Sequence, residues 1–162
     1  MIYNMKNLKG IIEKKILSLG FDKVGFCKPE VDDVTKRNYL NFLNKKFHGE
    51  MDWLEKHYEK KIDPKKIWSE VKTILVQGTN YSPSSNPIII NKKKTVGNIS
   101  AYAKNEDYHK VLKNSLLKFK TWLLKKYSID SLVFVDTSPI LEKYFAEKCG
   151  MGWQGKHTNL VS

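Results

Sequence analysis

The sequence predicts an α+β domain, close to the α/β class, with a central mixed sheet and flanking helices. Segments with helical periodicity alternate along the chain with short, β-branched apolar runs. Apolar residues make up 41% and aromatic residues 12% of the 162 residues, which is enough for a folded core. No internal repeat and no interior linker interrupts this pattern, so we expect one domain over residues 1–162.

The first part of the chain predicts a helix, a strand and a second helix. Apolar residues at helical spacing indicate a helix over residues 6–19, with Gly20 placed to end it. Residues 21–27 alternate well enough for a short strand, and Asp32 or Asp33 can cap the next helix. The inner face of that second helix is predicted to carry Tyr39, Leu40, Leu43 and Phe47.

The middle of the chain predicts a third helix, a strand and a loop. Residues 51–60 read as a helix that ends before the Asp63-Pro64 pair. Residues 73–81 are β-branched and apolar at their start and indicate a strand. Residues 82–87 have loop composition. The lysine run at 92–94 is interpreted as a hairpin edge, a flap or simply a solvated loop.

The second half predicts a long helix, a buried strand and a shorter helix. The long helix spans residues 108–127, and the continuous apolar run at 132–135 is typical of a central strand. Ser138 caps a helix over residues 139–149, which Gly150 ends. The residues predicted to be buried in the long helix are Val111, Leu112, Leu116, Phe119, Leu123 and Leu124.

The charge balance favours a polyanionic partner. Lysine and arginine total 29 against 17 acidic residues, a formal net charge of +12. Such an excess supports phosphate contacts and counterion release on nucleic acid. Arg37 is the only arginine. A coding bias toward lysine, isoleucine and asparagine would therefore produce the same excess.

Several classes of protein are excluded by composition. No run approaches the ~18 apolar residues of a membrane-spanning helix, and the lysine-interrupted N-terminus does not resemble a secretory signal. Cys27 and Cys149 are too few for a disulfide scaffold, so we expect a reduced, cytoplasmic protein. The four histidines lack zinc-like spacing and neither cysteine has a nearby partner, so no metal site is predicted.

Two segments carry residues suited to acid–base chemistry. Asp107, Tyr108 and His109 stand where the long helix begins, although Asp107 serves equally well as an ordinary helix cap. Asp136 follows the predicted strand at its carboxyl end, the edge at which open sheets bind ligands. Burial beside an apolar ligand would favour the neutral, proton-donating form of a carboxyl group there. The alternative is that Asp136 caps the following turn together with Thr137 and Ser138.

A third segment, residues 150–158, has three glycines around Trp153, followed by Lys156 and His157. Glycines allow the backbone of such a loop to approach a flat or phosphorylated ligand closely. The spacing is not that of a P-loop, so a nucleoside triphosphatase is not predicted.

Together these segments resemble the epoxyqueuosine reductase family, tRNA-modifying enzymes of queuosine synthesis. The resemblance rests on AYAKNEDYHKVL (101–112) and VFVDTSPILEKYFAEKCGMGWQGKHTNLVS (133–162), and more loosely on residues 51–64 and 73–81. The matching segments occur in the family's order over most of the chain.

The resemblance implies a nitroreductase-like, cobalamin-binding domain and an oxidoreductase activity. In the family, reduced cobalamin removes the epoxide oxygen of epoxyqueuosine at the wobble position of the tRNA anticodon. Asp136 inherits the role of proton donor. The residues expected to contact the cofactor are Lys61, Tyr102, Asp136, Lys156, His157, Thr158 and Leu160. The residues expected near substrate and tRNA are Asp107, Tyr108, His109 and Lys143.

The chain departs from the family pattern at three of these motif positions. Lys61 and Lys143 stand where arginine is usual, so the planar, bidentate guanidinium contact is lost. Asn105 replaces a glycine.

The family's electron relay is also missing from the sequence. Its two [4Fe-4S] clusters lie in a ferredoxin-like domain with two C-x₂-C-x₂-C-x₃-C-P runs, and neither run occurs here. We therefore expect a monomeric cobalamin-binding half that requires an external reductant or a separate cluster-bearing chain. The alternatives are an inactive cobalamin- or RNA-binding module and a related cobalamin or flavin reductase.

Overall fold

Seven α-helices and four short strands occur in residues 5–82, 87–92 and 94–161, which are the residues described by a computed structural model. The helices are α1 (Met5–Leu17), α2 (Asp33–Asn44), α3 (Trp53–Lys56), α4 (Tyr58–Ile62), α5 (Pro87–Asn91), α6 (Tyr108–Tyr127) and α7 (Glu142–Lys148). The strands are β1 (Lys23–Cys27), β2 (Ile74–Gly78), β3 (Trp153–Gln154) and β4 (Leu160–Val161). Single 3-10 turns occupy Pro64–Lys66 and Ala101–Ala103.

The chain forms two compact units. Unit 1 comprises residues 1–23 and 78–136, and unit 2 comprises residues 24–77 and 137–162. Among the described residues, β1 pairs with β2 and β3 pairs with β4. The predicted α+β class is confirmed, with two small sheets in place of one central mixed sheet.

Unit 1 is organised by α1 and α6. The Lys15 ammonium nitrogen lies 5.8 Å from the centroid of the Trp122 ring, where the two helices meet. The side chains that they bury are Ile12, Ile16, Leu116, Phe119 and Leu123. Their spacing of three to four residues is that of one apolar stripe along each helix, so the two stripes form the core of this unit.

Unit 2 depends on a close approach between β1 and the end of α7. A Cβ atom added to Gly25 would lie 2.3 Å from Cβ of Cys149, which leaves no room for a side chain. The Cys149 thiol donates to Sγ of Cys27 across 3.1 Å. The expectation that neither cysteine has a nearby partner is therefore wrong, because their separation along the chain hides a contact in space.

The glycine-rich segment is a β-hairpin rather than an open loop. Trp153 pairs with Val161 and Gln154 with Leu160 in antiparallel register. The N–H of Gly155 donates to the carbonyl of Asn159 at 2.9 Å and closes the turn.

The predicted helices 6–19 and 108–127 are confirmed, the latter at both ends. The predicted cap of α2 is also confirmed, because the Asp32 carboxylate accepts the N–H of Thr35 at 2.8 Å. Both β1 and β2 lie within their predicted ranges. These features depend on neighbouring residues, which is why sequence patterns identify them.

Three predicted elements are wrong in type or extent. Residues 132–135 pair with no strand in the described part of the chain, so the predicted central strand is not formed there. The N–H of Ile140 donates to the carbonyl of Ser138 at 2.8 Å, a tight turn that delays the start of α7 to Glu142. The helix predicted over 51–60 is divided at His57, whose ψ of 12° leaves the helical region.

Other differences concern burial and the segment around α5. Leu40, Phe47, Val111 and Leu124 were predicted to be buried and are exposed, because the apolar faces are wider than the surface that covers them. The helix α5 was not predicted, and the loop predicted at 82–87 lies mostly outside the described residues. Lys92 and Lys94 occupy an exposed turn and not a strand.

None of the helices within the described ranges combines the length and the apolar character needed to cross a bilayer.

Replacement of Gly25 by alanine is expected to destabilise the protein by about 1–3 kcal/mol, since the new methyl group would overlap the Cys149 side chain. Chemical denaturation of the variant and the wild type would measure the change in the free energy of unfolding. The matched control is Gly10→Ala within α1, where no atom lies within 4 Å of an added Cβ. Alanine there should increase the free energy of unfolding by about 0.5–1 kcal/mol. Equal destabilisation by both substitutions would contradict the close approach.

Candidate active site

A single carboxylate caps the N-terminus of α6 and orients the imidazole of His109. Asp107 is the cap of α6, and its Oδ1 accepts the backbone N–H of His109 at 3.0 Å. The same oxygen lies 2.8 Å from Nδ1 of the His109 ring. Because an ionised carboxylate only accepts hydrogen bonds, Nδ1 carries the proton of this contact. These hydrogen bonds from His109 lower the pKa of Asp107 below its usual value. The capping role considered for Asp107 is therefore confirmed.

Tyr108 connects the first turn of α6 to Asp136. Its hydroxyl donates to Oδ2 of Asp136 at 2.7 Å. The ring of Tyr108 stacks on His109, with centroids 4.0 Å apart and planes inclined by 28°. On its other side, Tyr102 meets it edge-on at 6.0 Å. The three aromatic rings thus hold the phenol in one position toward the carboxylate.

Asp136 lies on a bend directly after the buried side chain of Val135. Its φ of 53° lies in the left-handed region, which aspartate tolerates better than most residues. The Asp136 side chain is 54% exposed, and Nε2 of His109 lies 3.8 Å from its Oδ2. The carboxylate is therefore held by Tyr108 and is accessible to a ligand.

The electrostatics of this cluster keep the phenol protonated. The hydrogen bond to Asp136 raises the pKa of Tyr108 to about 12, with smaller contributions from desolvation and the Asp136 charge. Tyr108 is consequently a hydrogen-bond donor throughout the neutral range. We refer to Tyr102, Asp107, Tyr108, His109 and Asp136 as the carboxylate cluster.

In unit 2, Lys61 is a buried cation. Only 9% of this residue is exposed, and its ammonium nitrogen lies 5.3 Å from the centroid of the Trp53 ring. Burial lowers the pKa of Lys61, and the nearby charge of Glu142 partly opposes that shift. A lysine held in this way is suited to an anionic or strongly dipolar ligand group.

The tip of the β3–β4 hairpin presents polar side chains to solvent. Lys156, His157 and Thr158 are all exposed there. An added Cβ at Gly155 would lie 2.6 Å from the exposed His157 ring, so a side chain there would require the ring to move. Thr158 has φ 64°, a strained conformation for a β-branched residue. Such strain is common at binding sites.

The predicted site residues fall into both units. Unit 1 brings Tyr102, Asp107, Tyr108, His109 and Asp136 together as the carboxylate cluster. The remaining ones belong to unit 2, where Leu160 lies in β4 and Lys143 is exposed on α7. Sequence reasoning missed Trp53 as the ring beneath Lys61 and Glu142 as its charge partner. The only sequence signal for Trp53 was its position inside the looser family match at residues 51–64.

The titration of Tyr108 tests the central contact of the carboxylate cluster. The wild-type phenol should ionise with a pKa of about 12, and Asp136→Asn should bring that pKa toward the ordinary value near 10 because the anionic acceptor is lost. Ultraviolet difference spectra, or the Cζ resonance of Tyr108 in labelled protein, would report it. Asp130→Asn is the matched control, since Asp130 pairs with Lys120 instead. An unchanged pKa in Asp136→Asn would contradict the contact.

Comparisons with known proteins find the same family resemblance. The family model described as "Epoxyqueuosine reductase QueG, DUF1730" matches residues 61–137. The epoxyqueuosine reductase of Cyclobacterium marinum is 33% identical over 153 residues, which cover 94% of this chain and 48% of that protein. That of Escherichia coli K12 is 33% identical over 148 residues, covering 90% and 39%. The chain thus spans about half or less of the length of these curated relatives.

Solved structures show the same fold. A crystal structure of epoxyqueuosine reductase with an epoxyqueuosine-modified tRNA-Tyr stem loop superposes with a TM-score of 0.78 at 24% identity, covering 98% of this chain and 42% of that one. The Streptococcus thermophilus epoxyqueuosine reductase gives a TM-score of 0.77 at 23% identity, covering 96% and 42%. The family match, the curated relatives and the shared fold show that this chain is similar to part of the epoxyqueuosine reductases.

Proposed function

We propose that this chain is the cofactor- and substrate-binding part of an epoxyqueuosine reductase, with Asp136 as the proton donor to the epoxide oxygen. The observation that carries the proposal is the carboxylate cluster. There an accessible carboxylate is held by Tyr108, with His109 close by, inside the two segments that most resemble the family. The chemistry is reduction of an epoxide to an alkene with release of water.

The geometry at Asp136 suits proton donation. Its Oδ2 accepts the hydroxyl proton of Tyr108, and the side chain is 54% exposed, so a ligand can reach the carboxyl group. A substrate that covers the exposed carboxyl group would remove water from it and favour the neutral acid. The neutral acid can then protonate the oxygen as the carbon–oxygen bond breaks. The fixed tyrosine limits the directions in which the carboxyl group can turn.

Cobalamin is the cofactor that the family implies, and the donor set of unit 2 fits it. The corrinoid carries peripheral amides and one phosphodiester, which call for hydrogen-bond donors and a cation. The hairpin tip offers the ammonium of Lys156, the imidazole of His157 and the hydroxyl of Thr158, all exposed. When bound and reduced, cobalamin supplies the electrons for cleavage of the carbon–oxygen bond. Lys61 would hold an anionic or amide group of the cofactor, and Tyr102 remains a predicted contact from unit 1.

A tRNA anticodon stem-loop is the proposed substrate. A relative was solved with an epoxyqueuosine-modified tRNA stem loop, and the net charge here is +12. Phosphate contacts of exposed lysines would supply sequence-independent affinity. Those exposed on α6 are Lys110, Lys113, Lys118, Lys125 and Lys126. We place the reaction in the cytoplasm, with a monomeric chain and a separate low-potential electron donor.

Substitution of Asp136 tests the catalytic assignment. Asp136→Asn should lower kcat at least ~100-fold with little change in KM for the stem-loop, because an amide cannot donate the required proton. The assay combines the chain, cobalamin, a low-potential reductant such as titanium(III) citrate, and an epoxyqueuosine-containing stem-loop. Mass spectrometry of the digested RNA then measures queuosine. Asp130→Asn, an exposed aspartate paired with Lys120, should retain wild-type turnover. Undiminished activity in Asp136→Asn would refute the proton-donor role.

The buried lysine tests the cofactor assignment. Lys61→Met should weaken cobalamin binding by about 10-fold, equivalent to about 1.4 kcal/mol, because the side chain keeps its length but loses its charge. Equilibrium dialysis and the visible spectrum of cobalamin would measure it. The control is Lys60→Met, which removes an exposed charge from the neighbouring position and should change the Kd less than twofold. Equal Kd values for both variants would remove Lys61 from the binding site, provided thermal melts show both to be folded.

A further inference from the structure

The stoichiometry of the proposed reaction requires two protons. Reduction of an epoxide to an alkene and water consumes two electrons and two protons for each oxygen removed. A single carboxyl group delivers one proton and is then a carboxylate. If Asp136 is the donor, it has to be reprotonated within each turnover, or a second acid has to act.

His109 is placed to supply that proton. Its Nε2 lies 3.8 Å from Oδ2 of Asp136, and its Nδ1 lies 2.8 Å from Oδ1 of Asp107. The contact with Asp107 directs Nε2 toward Asp136, and stacking on Tyr108 at 4.0 Å holds the ring plane. A distance of 3.8 Å is longer than a hydrogen bond, but catalytic contacts commonly shorten when the substrate binds. The imidazole is 45% exposed and can exchange protons with solvent.

Tyr108 is not suited to the same task, although it is closer to Asp136. Its hydroxyl already donates to Oδ2 at 2.7 Å, and its pKa is raised to about 12. Transfer of that proton to Asp136 would leave a phenolate beside the Asp107 carboxylate. Tyr108 therefore positions Asp136 and keeps its own proton.

We propose that His109, aligned by Asp107, returns a proton to Asp136 between the two protonation steps of the reduction. This inference rests on the proposed function. In the first step the neutral Asp136 protonates the oxygen as one carbon–oxygen bond breaks, with both electrons originating from a low-potential reductant. The Nε2–H of the imidazolium then reprotonates Asp136, and His109 takes a replacement proton from solvent. In the second step Asp136 protonates the departing hydroxyl group, which leaves as water while the alkene forms.

The alignment can be measured on the chain without cofactor or RNA. Long-range ¹H–¹⁵N spectra distinguish the two tautomers of a neutral imidazole. In the wild type, neutral His109 should carry its proton on Nδ1, facing Asp107. Asp107→Ser preserves a helix cap but cannot reach the ring, and should shift His109 toward the Nε2–H tautomer that free histidine prefers. An Nε2–H tautomer in the wild type, or an unchanged one in Asp107→Ser, would overturn the alignment.

Chemical rescue tests the proton transfer itself. His109→Ala and His109→Gln should each lower kcat by about 10- to 100-fold and leave KM for the stem-loop unchanged. Added imidazole should restore much of the turnover of His109→Ala by occupying the space left by the ring. It should restore none in Asp136→Asn, which lacks the group to be reprotonated. The control Asn114→Ala truncates an exposed side chain further along α6 and should retain wild-type kcat.

The outcomes separate this inference from the proposed function. An active wild type with undiminished kcat in both His109 variants would overturn the relay and leave the proposed function standing. A loss of kcat that imidazole does not restore would assign His109 a structural role and also overturn the relay. A wild-type chain that produces no queuosine with cobalamin and reductant would overturn both.

Discussion

The carboxylate of Asp107 is the constraint on which the site in unit 1 depends. One of its oxygens accepts both the backbone N–H and the ring N–H of His109. The first contact satisfies a backbone donor that would otherwise be unpaired at the start of α6. The second fixes which imidazole nitrogen faces Asp136. Helix initiation and alignment of the site are therefore one interaction, and loss of the cap would also release the imidazole.

Tyr108 and His109 are consecutive residues in the first turn of α6, so they would normally point in different directions. Here both reach Oδ2 of Asp136, at 2.7 and 3.8 Å. Asp136 itself adopts a left-handed backbone conformation on a bend, and its side chain is 54% exposed. The conformational cost falls on the residue proposed as the proton donor, and backbone strain is common in active sites.

Unit 2 depends on a different kind of constraint, the close approach of backbones. Gly25 allows β1 to lie against the end of α7, and the two cysteines meet at that point. Lys61 is a costly element of this unit, because a buried ammonium loses hydration that the Trp53 ring and Glu142 replace only in part. Such a group is more consistent with ligand binding than with stability.

The sequence by itself determined the local features, namely both ends of α6, the caps of α2 and α6, and the segments that carry the family resemblance. These depend on residues within one or two helical turns of each other. Only the tertiary structure decided four other features. They are the exclusion of residues 132–135 from the described sheets, the start of α7, the burial of Lys61 over Trp53 and the contact between Cys27 and Cys149. Each needs a partner distant in the chain, and no local pattern specifies where that partner lies. The same holds for the carboxylate cluster: the sequence identified its members, while the fold decided that Tyr108 and His109 converge on one oxygen of Asp136.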